Sequence, residues 1–173
     1  MKPGPKILVS CMDRIVWIRV EGSGSFTVST ALKDFAKEMI HRGAREFVVD
    51  LGKCPVMDST FMGTLAGISL WLRELGEGSL HLVNLNERNA ESLCRLGLDQ
   101  LFNVRLSATK EDGQALEIPL KEDRTALAET MLEAHEALIK AVPENLPKFK
   151  DVIQYLEEEL HLSKRASPEE KKR

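Results

Sequence analysis

The sequence has few of the residues that build disulfide frameworks and zinc sites. It contains three cysteines in 173 residues, and no two of them have the C-x-x-C spacing. An odd number of widely spaced cysteines favours neither a disulfide framework nor a zinc centre. We therefore expect Cys11, Cys54 and Cys94 to be small buried thiols in a reducing environment. No metal and no cofactor is expected.

The sequence also lacks a long hydrophobic run and an excess of charge of either sign. No apolar stretch approaches the roughly 20 residues that a membrane-spanning helix needs, and no apolar leader typical of a signal peptide follows residues 1–5. Lysine and arginine number 24 against 27 aspartates and glutamates, which argues against a general nucleic-acid-binding protein. These observations predict a cytoplasmic protein that binds neither membranes nor nucleic acids directly.

The signature loops of common enzymes are missing as well. The sequence has no nucleophile elbow, no phosphate-binding glycine loop and no dinucleotide fingerprint. One C-terminal segment carries four titratable residues at helical spacing, Glu129, Glu133, His135 and Glu136. No other segment supplies converging partners for them, so we interpret them as a solvated helix face. We therefore expect no catalytic residues and no enzyme activity.

What the sequence does contain is a regular alternation of strand and helix patterns. Short β-branched runs predict strands, and apolar residues at i, i+3, i+4 and i+7 predict helices with one buried face. Helix-length connections between strands are typical of a parallel α/β arrangement with a small sheet. The predicted elements are a hairpin over 6–12 and 15–22, a helix capped by Ser29 or Thr30 and stopped by Gly43, a strand over 46–51, a helix from Ser59 to Gly76, a strand over 80–85, a helix over 87–95 and a short strand over 102–106.

The segment 48–65 is the most informative part of the chain. A buried strand pattern ends in a short turn, and Asp58, Ser59 and Thr60 then open a helix. Carboxylates and hydroxyls at a helix start can cap its unpaired N–H groups. The same position favours a phosphate, because the N–H groups and the helix dipole direct positive charge outward. The residues alone leave open whether this is a cap or a hydroxyl that is modified.

The order of the strands and helices points to a known family. This order, together with the runs Val48-Val49-Asp50-Leu51 and Met57-Asp58-Ser59-Thr60, resembles the STAS domain of anti-sigma factor antagonists over about residues 7–106. The resemblance implies a small mixed β-sheet with helices on one face. It also implies a regulatory role by partner switching, in which an anti-sigma factor that is also a serine/threonine kinase binds the domain and phosphorylates it.

The resemblance assigns roles to individual residues. Asp58 matches the acidic residue of the family and Ser59 its phosphoacceptor, with Thr60 as the second choice, and phosphorylation is expected to abolish partner binding. Phe61 stands where the family usually has glycine. The residues implied for partner binding are Met57, Asp58, Ser59, Thr60, Met62, Gly63 and Ser25.

The C-terminal third has a different character. Residues 1–107 are predicted to form the STAS-like domain, and the polar segment 108–123 is predicted to be a linker. Two amphipathic stretches within 124–162 predict a helical hairpin, and the charged residues 163–173 predict a disordered tail.

The apolar area of this hairpin supports an alternative function. The chain would then be a structural interaction module that homodimerises through the hairpin, or docks into a larger signalling assembly, without phosphorylation. In that case Ser59 would be only a cap.

Overall fold

The computed structural model describes residues 3–105, 115–120 and 122–166. It confirms an α/β fold with a small mixed sheet and a C-terminal helical hairpin. Short 3-10 turns precede the fifth strand and join the last two helices. The elements are β1 (Lys6–Met12), β2 (Ile15–Glu21), α1 (Phe26–His41), β3 (Glu46–Lys53), α2 (Ser59–Glu74), β4 (Ser79–Val83), α3 (Glu87–Arg95), β5 (Asn103–Arg105), β6 (Leu116–Ile118), α4 (Arg124–Ala141) and α5 (Leu146–Ala166).

The sheet has the strand order β5-β4-β3-β2-β1-β6. The strands β2 to β5 run parallel, whereas β1 pairs antiparallel with β2 and with β6. The β1–β2 connection is a two-residue turn in which Asp13 and Arg14 have φ values of 51° and 67°. Positive φ at both positions matches the right-handed twist of a hairpin. The hairpin predicted from the sequence is confirmed.

Helices cover one face of the sheet. In β2 the side chains of Val16, Ile18 and Val20 are buried, whereas Trp17 and Arg19 on the opposite face are half-buried. This alternation is typical of a sheet that packs on a core with one face only. The expectation of helices on one face is confirmed.

The C-terminal hairpin forms a further layer on top of these helices. Helix α4 packs against α2 and α1, and α5 packs against α4. Leu138 of α4 is fully buried and joins the main hydrophobic core. The buried amide of Asn145 donates hydrogen bonds to Leu96 O at 2.9 Å and to Leu138 O at 3.1 Å. The hairpin is therefore packed on its own chain.

Two boundaries differ from the sequence prediction. Helix α1 begins at Phe26 with Ser25 as its N-cap, and the predicted caps Ser29 and Thr30 are buried inside the helix. Helix α5 continues to Ala166, past the predicted start of the tail at 163. Lysine and arginine in its last turn favour this extension because they complement the helix dipole. Residues 167–173 of the predicted tail lie outside the described residues.

The predicted linker 108–123 contains the strand β6. Ile118 pairs with Ile7 and Leu116 pairs with Val9 along the edge of β1. A strand of three residues is too short to give a periodic pattern. Its pairing supplies backbone partners to the open edge of β1. Residues 108–114 and 121 of the predicted linker lie outside the described residues.

The cysteines are only partly as expected. All three are free, and Cys54 is buried, but Cys11 and Cys94 are exposed. Burial raises the pKa of the Cys54 thiol above its ordinary value of 9.0, so its thiolate is disfavoured. The prediction of buried thiols is wrong for the other two, which lie near the end of a strand and on the outer side of a helix. Within the described ranges, no helix combines the length and the apolar character needed to cross a bilayer.

Candidate functional site

The starts of α1 and α2 lie side by side at one end of the sheet. The N–H of Gly24 donates to Val56 O at 2.9 Å, and the N–H of Asp58 donates to Gly24 O at 2.9 Å. These two hydrogen bonds form a short parallel bridge between the segments that lead into the helices. The bridge brings Ser25 next to the segment 57–63, so the predicted partner-binding residues lie in one region.

Asp58 caps both helices. Its Oδ1 accepts a hydrogen bond from the N–H of Phe61 at 2.8 Å, and it is the N-cap residue of α2. Its Oδ2 accepts a hydrogen bond from the N–H of Phe26 at 2.9 Å, at the start of α1. One carboxylate therefore faces the positive ends of two helix dipoles. The capping role considered from the sequence belongs to Asp58.

The hydroxyl of Ser59 makes a contact with the C-terminal hairpin. Its Oγ lies 3.0 Å from Nε2 of His135 in α4, and Nδ1 of His135 lies 2.6 Å from the carbonyl oxygen of Met131. A carbonyl oxygen only accepts, so Nδ1 carries the proton in this contact. In the corresponding neutral tautomer, Nε2 accepts a hydrogen bond from the hydroxyl of Ser59. The imidazole is 3% exposed and lies against Phe149.

Helix α4 makes its tightest contact with α2 one turn beyond Ser59. A Cβ atom placed on Gly63 would lie 2.2 Å from the carbonyl oxygen of Ala134, so the two helix backbones touch there. A Cβ atom on Gly67 would lie 3.7 Å from Cβ of Ala137, which is an ordinary contact. Position 63 therefore requires glycine, whereas position 67 has room for a methyl group.

Two polar pairs join α4 to α1. The hydroxyls of Thr30 and Thr130 lie 3.0 Å apart and are buried. Lys33 Nζ lies 3.3 Å from Glu133 Oε2, and Lys33 is 9% exposed. A lysine with this little exposure requires an acidic partner. The contact of α4 with the rest of the domain is therefore built from small residues and paired polar groups.

The predicted partner-binding residues differ in accessibility. Asp58, Ser59 and Ser25 are half-buried. The other four are almost completely covered, at 5% exposure for Met57, 3% for Thr60 and 6% for Met62, with Gly63 also buried. Of the two candidate phosphoacceptors, Ser59 is the more accessible. These roles stay predictions.

Phe61 does not add bulk to the surface at the start of α2. Its side chain is fully buried and belongs to the main core. A Cβ atom on Gly24 would lie 2.9 Å from Cδ1 of Phe61, so the ring packs beneath the Gly24 bridge. The bulk that replaces the family's usual glycine is therefore directed into the core.

The sequence interpretation missed His135. The residue is buried against Ser59, so the prediction of a solvated helix face is wrong at this position. Glu133 and Glu136 are exposed, although Glu133 pairs with Lys33. The signal that indicates this face is the small-residue stripe Thr130, Ala134 and Ala137 of α4, which faces Gly63 and Gly67 of α2.

A groove lies between α1, α2 and α4, farther along from Ser59. Its lining includes Trp71, Lys37 and Lys140, and Lys37 Nζ lies 5.0 Å from the ring centroid of Trp71. Ser59 and His135 do not line this groove. In the part of the chain that the structure describes, no group of three or more histidine, cysteine, aspartate or glutamate side chains is arranged to hold a metal ion.

Ionisation of Glu136 lowers the stability of the fold in a pH-dependent way. Glu136 is exposed as a residue, but partial burial of its carboxyl group raises the pKa of that group above 4.5, and the neighbouring Glu157 and Glu133 raise the pKa further. A raised pKa in the folded chain means that ionisation disfavours folding as pH rises from about 4.5 through the folded pKa. We expect Glu136→Gln to increase the melting temperature slightly at neutral pH and to have little effect well below pH 4.5. Thermal melts across this range check the prediction, and equal melting at neutral pH would count against it.

Comparison with known proteins agrees with the fold and with the resemblance found in the sequence. Residues 6–112 match the family model of the STAS domain. A solved structure of a candidate anti-sigma factor antagonist from Thermotoga maritima is 18% identical, with a TM-score of 0.52 over 56% of this chain and 82% of that chain. The anti-sigma factor antagonist SpoIIAA of Bacillus, in its unphosphorylated form, is 18% identical, with a TM-score of 0.52 over 58% of this chain and 88% of that chain.

The similarity to these solved structures concerns the fold of the matched domain. At 18% identity the solved structures show a common fold. No curated protein matches the chain at a significant level. The hairpin of α4 and α5 begins at Arg124, beyond the residues that the family model matches. The helix that contacts Ser59 is thus an addition to the matched domain.

Proposed function

The chain belongs to the STAS domain family, and on this premise we propose that it is a non-catalytic regulator of the anti-sigma factor antagonist type. In this proposal, an anti-sigma factor that is also a serine/threonine kinase binds the surface around the start of α2. Phosphorylation of Ser59 controls that binding and thereby controls transcription.

The observation that carries the proposal is the division of roles between Asp58 and Ser59. Asp58 accepts one N–H group at each of the two helix starts. The hydroxyl of Ser59 contributes no cap, and its contact is with another helix. A hydroxyl that is not needed for capping can change its chemical state without removing a cap. This supports a modified hydroxyl in the first turn of α2.

The electrostatics of the helix start favour a switch that leaves the fold intact. A phosphoryl group on Ser59 would add about -1.5 to -2 charges at pH 7. The dipole of α2 would contribute roughly 0.3–1 kcal/mol of favourable interaction, partly offset by the neighbouring carboxylate of Asp58. Burying the same charge unpaired in a protein interface would cost several kcal/mol. Phosphorylation is therefore expected to prevent partner binding far more than it destabilises the domain.

The proposal is tested by following phosphate incorporation. The full chain is incubated with ATP and an extract of the organism that encodes it, and its intact mass is measured. We expect one phosphoryl group on the wild-type chain and on Thr60→Val, and none on Ser59→Ala. Incorporation into Ser59→Ala at the wild-type rate would refute Ser59 as the acceptor.

A second arm of the same test follows the partner. Immobilised Ser59→Ala should remove the Ser59-directed kinase activity from the extract, whereas immobilised Ser59→Asp should leave that activity in solution. The activity that remains is measured with fresh wild-type chain as substrate. Equal depletion by the two variants would contradict control of binding by charge at Ser59.

One observation favours the alternative of an interaction module that works without phosphorylation. Helix α5 exposes several apolar side chains along its length, Leu146, Val152, Tyr155 and Leu162, at 50%, 38%, 61% and 61%. Such side chains are suited to a homodimer or to docking in a larger assembly. This alternative expects no modification of Ser59 in the extract, so the mass measurement separates the two functions.

A further inference from the structure

We infer that α1 and α2 form a helix-binding surface, that α4 of the same chain occupies it, and that the protein partner displaces α4 with a helix of similar chemistry. The occupied surface is a property of the chain itself. The identity of the displacing partner rests on the proposed function.

The surface covered by α4 coincides with the region implied for partner binding. His135 lies against Ser59, and Ala134 lies against Gly63. Helix α4 lies outside the matched family domain. A protein that docks on the start of α2 would therefore meet α4 first.

The shape of the surface selects a helix with small residues. The oxygen of Ala134 leaves no room for any side chain at Gly63. Along the same line, Ala137 faces Gly67. A bulky residue at either alanine position would keep a helix from approaching this closely. The displacing helix is thus expected to present small residues three positions apart.

The charge of the surface adds a second requirement. Lys33 is 9% exposed and is paired with Glu133 of α4. When α4 moves away, Lys33 becomes hydrated, and a helix that covers it again must supply an acidic partner. A displacing helix restores the pair only if it carries an acidic side chain next to its small residues, as Glu133 precedes Ala134 in α4.

The contacts of α4 are suited to reversible release. Thr130, Glu133 and His135 hold α4 to α1 and α2 through polar pairs. Water can replace such pairs at small net cost, because the separated groups are hydrated. Near the end of α4 the side chain of Leu138 is fully buried, and the hydrogen bonds of Asn145 hold the turn that follows the helix. Helix α4 can therefore pivot away from α1 and α2 about the turn to α5, which Asn145 anchors, and a crosslink at Ala137 opposes this movement.

In the position described, α4 engages the hydroxyl of Ser59 that the kinase would modify. The Oγ of Ser59 and Nε2 of His135 are 3.0 Å apart, which is a hydrogen-bond distance, and a phosphorylated Oγ has no hydrogen left to donate to Nε2. Modification of Ser59 breaks this contact, and we expect the kinase to act on a chain in which α4 has moved away from α2. The released state is the form that the partner binds and modifies.

A disulfide across α2 and α4 provides a reversible lock for testing this. The Cβ distance of 3.7 Å between Gly67 and Ala137 falls within the range of about 3.5–4.5 Å that disulfides need. The test protein is the full chain with Gly67→Cys and Ala137→Cys. The exposed native thiols are removed by Cys11→Ser and Cys94→Ser. The reduced form and the two chains that carry only one of the introduced cysteines are the matched controls, and all of them keep the buried Cys54.

The first readout needs no partner. Amide hydrogen exchange in the reduced chain should be about tenfold or more faster in the first half of α4 than in β2 and β3, because a locally opening unit has a smaller opening free energy than the core. Oxidation should slow α4 to the rate of the sheet and leave the sheet unchanged. Equal exchange of α4 and the sheet in the reduced chain would overturn the inference.

The second readout uses a labelled peptide with the sequence of residues 122–145 as the displacing helix. The reduced chain should bind it at least about tenfold more tightly than the oxidised chain, as judged by fluorescence anisotropy. Equal binding by the two forms would overturn the inference. An oxidised product that runs as a covalent dimer would also overturn it, because α4 would then occupy the surface of a second copy.

The phosphorylation assay separates this inference from the proposed function. The reduced chain should be phosphorylated in the extract, and the oxidised chain should not. If neither form is phosphorylated while the exchange and peptide results hold, the proposed function fails and the helix-binding surface stands. If both forms are phosphorylated at the same rate, the need for release of α4 is refuted.

Discussion

Gly63→Ala is expected to lower the free energy of unfolding by about 2 kcal/mol. The new methyl group would lie 2.2 Å from the carbonyl oxygen of Ala134, and a backbone atom cannot rotate away. Overpacking of this kind typically costs 1–3 kcal/mol or more, and the better helix propensity of alanine returns up to about 1 kcal/mol. Relief requires α4 to move off α2. Urea unfolding monitored by circular dichroism measures the change.

Gly67→Ala is the matched control for this prediction. The residue lies one turn farther along the same helix, and its added methyl group would make only an ordinary contact of 3.7 Å with Ala137. The control should be neutral or more stable by up to about 1 kcal/mol. Opposite outcomes at the two glycines indicate that α4 packs as described. Equal outcomes would mean that α4 is not held against Gly63.

Asp58→Ala is expected to cost about 2 kcal/mol of unfolding free energy. Loss of an N-cap typically costs about 1 kcal/mol, and this carboxylate caps both α2 and α1, through the N–H groups of Phe61 and Phe26. Its charge also interacts with two helix dipoles. The same urea unfolding experiment measures the loss.

Asp58→Asn provides a graded control. The amide keeps one acceptor oxygen, but its nitrogen cannot accept the second N–H. We expect this variant to keep one cap and to lose about half as much stability as Asp58→Ala. If Asp58 caps both helices, the unfolding free energy decreases from the wild type through Asp58→Asn to Asp58→Ala. If the two variants are equal to each other and to the wild type, Asp58 does not hold the helix starts.

The strands and helices of the matched domain could be predicted because their signals are local. The alternation in β2 and the apolar stripe of α2 depend on residues that lie next to each other in the sequence. The predicted start of α1 is too late because its N-cap, Ser25, stands at the end of the loop-like run Gly22-Ser23-Gly24-Ser25. A second acceptor at this helix start is Asp58, which lies thirty-two residues away from Phe26. A capping group that comes from another element gives no signal in the sequence next to the helix that it caps.

The candidate site could be predicted only in part, for a related reason. Asp58 and Ser59 stand together in the sequence, so the helix start and its hydroxyl were recognised. The pairing of Ser59 with His135 spans 76 positions. Which face of α4 is buried depends on how α4 packs against α1 and α2. The small residues opposite Gly63 identify that face only when this packing is known.

The modification of Ser59 is tested most directly by locating the phosphoryl group within the sequence. Trypsin cleavage after Lys53 and after Arg73 releases residues 54–73, a peptide that contains four hydroxyl side chains, those of Ser59, Thr60, Thr64 and Ser69. After incubation with ATP and the extract, fragmentation of this peptide in a mass spectrometer should place a single phosphoryl group on Ser59. A phosphoryl group on another residue would contradict a switch at Ser59. An unmodified peptide would also contradict it if the kinase is active in the same extract.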